Sequence, residues 1–292
     1  MRHNGPVVIA VDGGTHSAET IQWGLAEAEL RGAEAVLART YQEPREIAQW
    51  SWYPVLDDLR FDTEAKEYLA EQLDLARQDH PDLTISTRLL HGPEVPELRT
   101  LSEEAQLLVV GARGHAGRSR LGRVSAHLAA HSQCPVTIVR EVKDDASAPV
   151  VVGVDGSPSS VVAAQVAARE ALLRDLPLVV AHARPTLLAP YGGEGLGLPP
   201  LATSDENDPT HRAARQVADQ LRAEYPGLDV RVDLVDDDAV HALVEMSHGA
   251  ALMVVGSRGM GAFRGMLLGA VSNEVVRGAD TTVLVVHGLP AQ

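Results

Sequence analysis

Residues 250–272, AALMVVGSRGMGAFRGMLLGAVS, run from an apolar segment through a glycine-studded loop into a helical pattern opened by small and polar residues. Leu252, Met253, Val254 and Val255 lack polar alternation, which suits a strand buried on both faces of a parallel sheet. The chain then turns at the carboxyl end of that strand. Gly256 and Gly259 stand in G-x-x-G spacing, and with no Cβ between backbone and ligand several N–H groups can converge on one anion. Nine residues separate Gly259 from Gly269. Ala270, Val271 and Ser272 then begin a helix-compatible pattern, with free N–H groups and a hydroxyl at the helix start, so a phosphate chain can be held from two sides. Ser272 can donate to that phosphate or cap its own helix, and the two roles can coexist. Arg258 and Arg264 are the cations that can offset phosphate charge here, with Mg²⁺ sharing the task, the alternative being two solvated surface arginines.

Working outward from this stretch, the chain repeats itself. Val7 to Thr15, VVIAVDGGT, returns as Val150 to Pro158, VVVGVDGSP, with Asp12 and Asp155 in register. Ile21, Leu25 and Ala28 make an apolar helical stripe, and Glu27, Ala28 and Arg31 return as Glu170, Ala171 and Arg174. Apolar strands at 35–38 and 178–181 follow, then the long irregular stretches 41–62 and 187–209, read as loops. Helical patterns at 63–78 and 211–224, strands at 83–89 and 228–235, and helices at 95–104 and 239–248 come next. The glycine strand is fourth, LLVVGARG at 107–114 and LMVVGSRG at 252–259, before a further helix and a fifth strand, 135–140 and 282–287. The order βαβαβαβαβ, twice, requires parallel sheets with helices on both faces, α/β of the Rossmann-like kind. Domains are expected at 1–143 and 149–292, joined through the polar, proline-ended KDDASAP at 143–149. Ligands in such sheets sit at the carboxyl ends of the strands. Asp12 and Asp155 after strand one, and both G-x-x-G elements after strand four, therefore converge on one crevice per half.

Composition narrows the function classes. A net charge of -15 argues against nucleic acid or an anionic membrane as partner. One cysteine, Cys134, precludes an intrachain disulfide and reads as a small buried apolar residue. The apolar run at 6–11 is too short for a signal-peptide core and no later segment approaches a membrane span, so a cytoplasmic location is expected. Lys66 and Lys143 are the only lysines and neither follows a glycine-rich turn, which excludes a Walker-type phosphate loop. His127 and His131 share a helix face at i and i+4, but no third ligand or H-E-x-x-H glutamate accompanies them, and no metal site is expected. Trp50, Trp52 and Tyr53 are read as packing of a long loop onto its own domain.

These residues resemble the universal stress protein family, two such domains fused in one chain. The resemblance rests on VDGG and VDGS after strand one, the E-A-x-x-R helix, the His182-Ala183 pair, and G-x-x-G followed after nine residues by glycine with a hydroxyl residue nearby. It implies a five-stranded parallel sheet of order 3-2-1-4-5 in each half, with ATP or a related adenine nucleotide whose phosphates lie at the two glycine elements. The aspartate after strand one would contact the nucleoside and the backbone after strand two would read the adenine. In the second half the resemblance points to Asp155, Gly156, Ser157 and Ala183, with Gly256, Arg258, Gly259 and Gly269 to Ser272 around the phosphates. In the first half the counterparts are Asp12, Gly13 and Thr40, with Gly111, Gly114, Gly122, Arg123, Val124 and Ser125.

The halves depart from that pattern unequally. Seven residues rather than nine separate Gly114 from Gly122, a loss of up to about 7 Å of reach. Arg123 stands where the family has a hydroxyl, and Ala270 also lacks it. Weakened binding is thus expected in the second half and loss sooner in the first. No nucleophile-base pair or carboxylate dyad can be assembled. The reading is a nucleotide-binding stress-response module without strong catalysis, the alternatives being a nucleotide-free dimerising scaffold or a slow ATPase. The apolar fifth strands would leave exposed sheet edges, so association through them is expected, including a homodimer of tandem chains.

Overall fold

A computed structural model describes residues 4–42, 62–112, 121–140, 147–183, 209–259 and 268–288. The chain forms two compact units, Met1–Glu141 and Val142–Gln292. Trp50, Trp52, Tyr53, Gly114, Arg264, Lys143 and most of both phosphate loops lie outside the described residues.

The first unit runs β1 (Val7–Ala10), α1 (Ser17–Arg31), β2 (Ala35–Tyr41), α2 (Thr63–Asp79), β3 (Ile85–His91), α3 (Glu94–Leu101), β4 (Leu107–Gly111), α4 (Arg123–His131) and β5 (Val136–Val139). All its strand pairs are parallel, in the order β3-β2-β1-β4-β5. The second unit repeats the sequence of elements: β6 (Val150–Gly153), α5 (Pro158–Arg174), β7 (Leu178–Ala183), α6 (Pro209–Glu224), β8 (Val230–Val235), α7 (Ala239–Ser247), β9 (Leu252–Gly256), α8 (Ala270–Gly278) and β10 (Val283–Val286). Its strands are parallel in the order β8-β7-β6-β9-β10. The central strands carry unbroken apolar runs because helices cover both faces. Val7, Val8, Ile9, Leu107, Leu108 and Val109 have no exposed surface, nor do Val150, Val152, Met253 and Val254. No described helix is long and apolar enough to cross a membrane.

A glycine contact fixes the first helix of the first unit, and a buried ion pair recurs in both units. At Gly24 in α1 a Cβ would stand 2.5 Å from Cγ1 of Ile9, so only glycine lets the helix approach β1 this closely. At the C-terminal end of each unit's first helix, Glu27 pairs with Arg31 at 2.6 Å and Glu170 pairs with Arg174. Both carboxylates are buried, at 1% and 2% exposure, which explains the recurrence of E-A-x-x-R as a structural rather than a ligand-binding feature. Both helices end in a left-handed residue, Gly32 (φ 59°) in the first unit and Asp175 (φ 54°) in the second. A Cβ is disfavoured there, so Asp175→Gly is expected to stabilise the second unit by about 0.5–1 kcal/mol in chemical denaturation.

The switch in strand order falls between β1 and β4, and between β6 and β9. Val152 pairs with Val254, so the chain leaving β6 at Asp155 and the chain leaving β9 at Gly256 emerge side by side. This is where a doubly wound sheet opens a crevice.

Candidate functional site

In the second unit that crevice encloses about 320 Å³ and is lined by Asp155, Ala183, Gly256, Arg258, Gly259 and residues 269–272. Its floor is Gly153, Ala181, Val255 and Leu243 of α7. The two glycine elements, nine residues apart in sequence, meet here: a Cβ on Gly269 would stand 3.5 Å from the Gly259 nitrogen and 3.6 Å from the Arg258 Cα. Gly269 N–H donates to the Ser257 carbonyl at 2.7 Å, which clasps the ends of the loop. Gly269 is the N-cap of α8, with no side chain capping it. The N–H groups of Ala270, Val271 and Ser272 therefore have no intrahelical acceptor and open on the crevice, where the helix dipole favours an anion.

Asp155 carries a carboxylate over this cradle. Its Oδ1 accepts the Ser157 N–H at 2.9 Å, as a turn-forming aspartate does. Its Oδ2 faces the other way, 2.5 Å from where a Gly259 Cβ would be. One oxygen thus serves the turn and the other looks into the site. Behind it, His182 is buried, with Nδ1 2.7 Å from the Val154 carbonyl and its ring edge-on to His211 at 5.8 Å between centroids. Since a carbonyl only accepts, Nδ1 carries the proton, and the bond pins the end of β7 so that Ala183 reaches the crevice wall.

Three expected residues take other roles. Ser157 does not line the crevice; its hydroxyl caps α5 by accepting the Ser160 N–H at 3.2 Å. Gly156, at φ 84°, forms the turn, and a Cβ there would meet the Ala213 Cβ at 3.3 Å, on the α6 side. Ser272 is buried, and its hydroxyl donates to the Gly256 carbonyl at 2.6 Å, so it neither caps its helix nor offers that proton to a ligand. What it brings to the crevice is its backbone N–H. The side chains of Arg258 and Val271 are exposed at the rim.

The first unit builds the same frame with different lining. Ser125 Oγ donates to the Gly111 carbonyl at 2.6 Å, and Gly122 N–H donates to the Ala112 carbonyl at 2.6 Å, as Ser272 and Gly269 do in the second unit. The shorter loop thus leaves its clasp unchanged, and the difference in length falls on residues outside those described. Asp12 accepts the Gly14 N–H at 2.8 Å and the Ser17 hydroxyl at 2.9 Å. A Cβ on Gly13 would meet the Arg39 guanidinium at 3.2 Å, and that guanidinium stacks 4.6 Å over Tyr68 of α2. Arg123, first in α4, is exposed, and Val124 and Thr40 are partly exposed.

Strand register also gives counterparts that the sequence reading passed over. Gly153 on the floor corresponds to Ala10, and Ala239 at the mouth corresponds to Glu94. In the second unit a Cβ at Gly153 would sit 2.9 Å from Cδ1 of Leu243. The first unit has that Cβ, and it carries Glu94, an exposed carboxylate, at the position matching Ala239. Carrying the repeat comparison past the glycine motifs would have revealed both.

His127 and His131 do share a face of α4, with rings stacked at 3.9 Å and 5° between planes. His131 Nδ1 lies 2.9 Å from the His127 carbonyl. Burial, then the neighbouring His131 and Arg99, hold the His127 pKa below its usual value. Cys134 is buried, and burial pushes its thiol up to about 12, so it stays protonated and unreactive near neutral pH.

Comparison with known proteins agrees with this frame. The Universal stress protein family matches twice, over residues 3–140 and 148–287. Universal stress protein Rv2005c of Mycobacterium tuberculosis is 32% identical over 293 residues, covering 96% of both chains. Universal stress protein Rv2623 of the same organism is 32% identical over 297 residues, covering 96% of this chain and 95% of that one. Among solved structures, a universal stress protein from Archaeoglobus fulgidus covers 99% of both chains with a TM-score of 0.69 at 19% identity.

Proposed function

The chain belongs to the universal stress protein family, and from that premise we propose that its second half binds an adenine nucleotide, ATP with Mg²⁺. The observation that carries this reading is the juxtaposition of Gly259 and Gly269 at the N-terminus of α8, beneath the Asp155 carboxylate. Backbone N–H groups from a loop and from a helix start, brought within one phosphate's reach, make an anion cradle that needs no lysine. The second oxygen of Asp155 repels phosphate at this range, so it faces a ribose hydroxyl or a cation placed between them. The backbone at Ala183 and the apolar floor around Leu243 accept the base.

The output is a binding signal rather than chemistry. Phosphoryl transfer needs a placed acceptor, a metal and charge stabilisation together, and the described residues of the crevice supply a cradle and one carboxylate. The first half, with Ala10, Glu94 and Arg123 at its site, binds weakly if at all. We read the protein as a cytoplasmic module that acts through a homodimer; sedimentation at micromolar concentration is expected to give two chains per particle, and a monomer alone would refute the dimer.

The test of nucleotide binding is to denature freshly purified protein and chromatograph what it releases. Adenine nucleotide approaching one per chain is expected. Preparations that release none, and that fail to take up added ATP, would leave the nucleotide-free scaffold standing.

A further inference from the structure

Three serines crowd the first turn of α5: Ser157, Ser159 and Ser160, all buried. Two of them reach across to the phosphate loop. Ser159 Oγ donates to the backbone carbonyl of Arg258, and Ser157 Oγ lies 3.4 Å from the same oxygen and 3.3 Å from Ser159 Oγ. Ser160 takes no part, since its hydroxyl donates to the Ser157 carbonyl at 2.9 Å. The Arg258 carbonyl is therefore held on the α5 side of the loop.

A trans peptide is planar, with its C=O and N–H pointing in opposite directions. Tying the Arg258 carbonyl to α5 thus turns the Gly259 N–H away from α5. Gly269 stands beside that N–H edge: its Cβ position lies 3.5 Å from the Gly259 nitrogen and 3.6 Å from the Arg258 Cα, the two atoms that flank the N–H side of a trans peptide. The carbonyl contact consequently decides whether the loop presents a donor or an acceptor to the phosphate cradle. An acceptor there would repel the ligand.

We propose that Ser159 is a positioning residue for nucleotide binding, a latch that orients the Arg258–Gly259 peptide so that its N–H faces the phosphates. This rests on the nucleotide reading above and deepens it. Among the described residues of the first half, neither matching position carries a hydroxyl. The positions of Ser157 and Ser159 are taken there by Gly14 and His16. Glycine has no hydroxyl, and the His16 ring is engaged with Glu19 at 3.3 Å. The first half thus lacks these two hydroxyls, in addition to its altered lining.

The test is calorimetric titration of the full chain, wild type and Ser159→Ala, with ATP in excess Mg²⁺ and separately with adenosine. A latch acts only on the phosphate end, so Ser159→Ala is expected to weaken ATP roughly tenfold, the upper range for one lost hydrogen bond, while adenosine affinity holds. General loosening of the α5 turn would instead disturb Asp155 and weaken both ligands equally, overturning the proposal. Should the alanine variant not fold, Ser159→Thr and Ser159→Val form a second pair of nearly equal shape that differ by the hydroxyl. Threonine is expected to restore ATP affinity and valine to lose it, and equal affinities would refute the latch. Wild type that binds no ATP at all would overturn the nucleotide reading itself, whereas wild type that binds ATP as tightly as Ser159→Ala would overturn the latch alone.

Discussion

Gly259→Val is expected to abolish ATP binding while leaving the fold intact. A Cβ at this position would stand 2.5 Å from Oδ2 of Asp155, closer than atoms tolerate, so the carboxylate must swing away from the crevice. The two branch methyls of valine then occupy the space beside Gly269 that the ligand needs. Two kinds of contact disappear together, the carboxylate's acceptance of a nucleoside hydroxyl and the close approach of backbone N–H to phosphate. Hydrogen bonds involving charged groups contribute about 1.5–3 kcal/mol each, so losing two corresponds to roughly a hundredfold or more in affinity. Gly259 is only partly buried and lies outside any helix or strand, so thermal unfolding should move little. The matching control is Asp12→Ala, which alters the counterpart of Asp155 in the first half and should leave affinity unchanged. Valine at 259 that binds ATP normally, or loss of binding on changing Asp12, would show the site to be misplaced.

The second large effect is on stability. Arg174 of α5 pairs with Glu170, whose side chain is only 2% exposed. Arg174→Met deprives this buried carboxylate of its guanidinium, a class of change that costs about 3–5 kcal/mol. At 2–4 °C per kcal/mol for a unit of this size, the second unit's melting transition should fall by roughly 10 °C. Replacing both residues, Glu170→Leu with Arg174→Met, is expected to recover most of the loss, because a well-packed apolar pair has no charge to desolvate. Differential scanning calorimetry checks both variants. A drop of less than about 1 °C in the single variant would mean that the pair contributes no more than an exposed one.

How far the site was legible depended on whether a residue acts through local pattern or through a distant contact. The strands could be read because β1, β4, β6 and β9 are unbroken apolar runs, and the glycines after β9 because a missing Cβ is itself the signal. Asp155 was legible as a crevice residue, and the structure adds that one of its oxygens serves the turn. Ser272 was ambiguous because a hydroxyl at a helix start has several acceptors within reach, and only the packing of α8 on β9 decides for the Gly256 carbonyl. The Ser159 contact with Arg258 joins residues 99 apart in sequence, so no local pattern announces it. Gly153 carries no local signal, because the Leu243 side chain packed against it comes from α7, distant in sequence. The count of loop residues suggested that the halves differ in grip, yet the clasps at Gly122 and Gly269 are alike. Among the described residues the halves also differ at Ala10, Glu94, Gly14, His16 and Arg123.

The central claim, that one half of a duplicated frame keeps a working nucleotide cradle, is tested most directly by the stoichiometry of binding. Nucleotide-free protein titrated calorimetrically with ATP and Mg²⁺ should show one site per chain, saturating as a single class. Two equal sites per chain, or no binding at millimolar ATP, would contradict it.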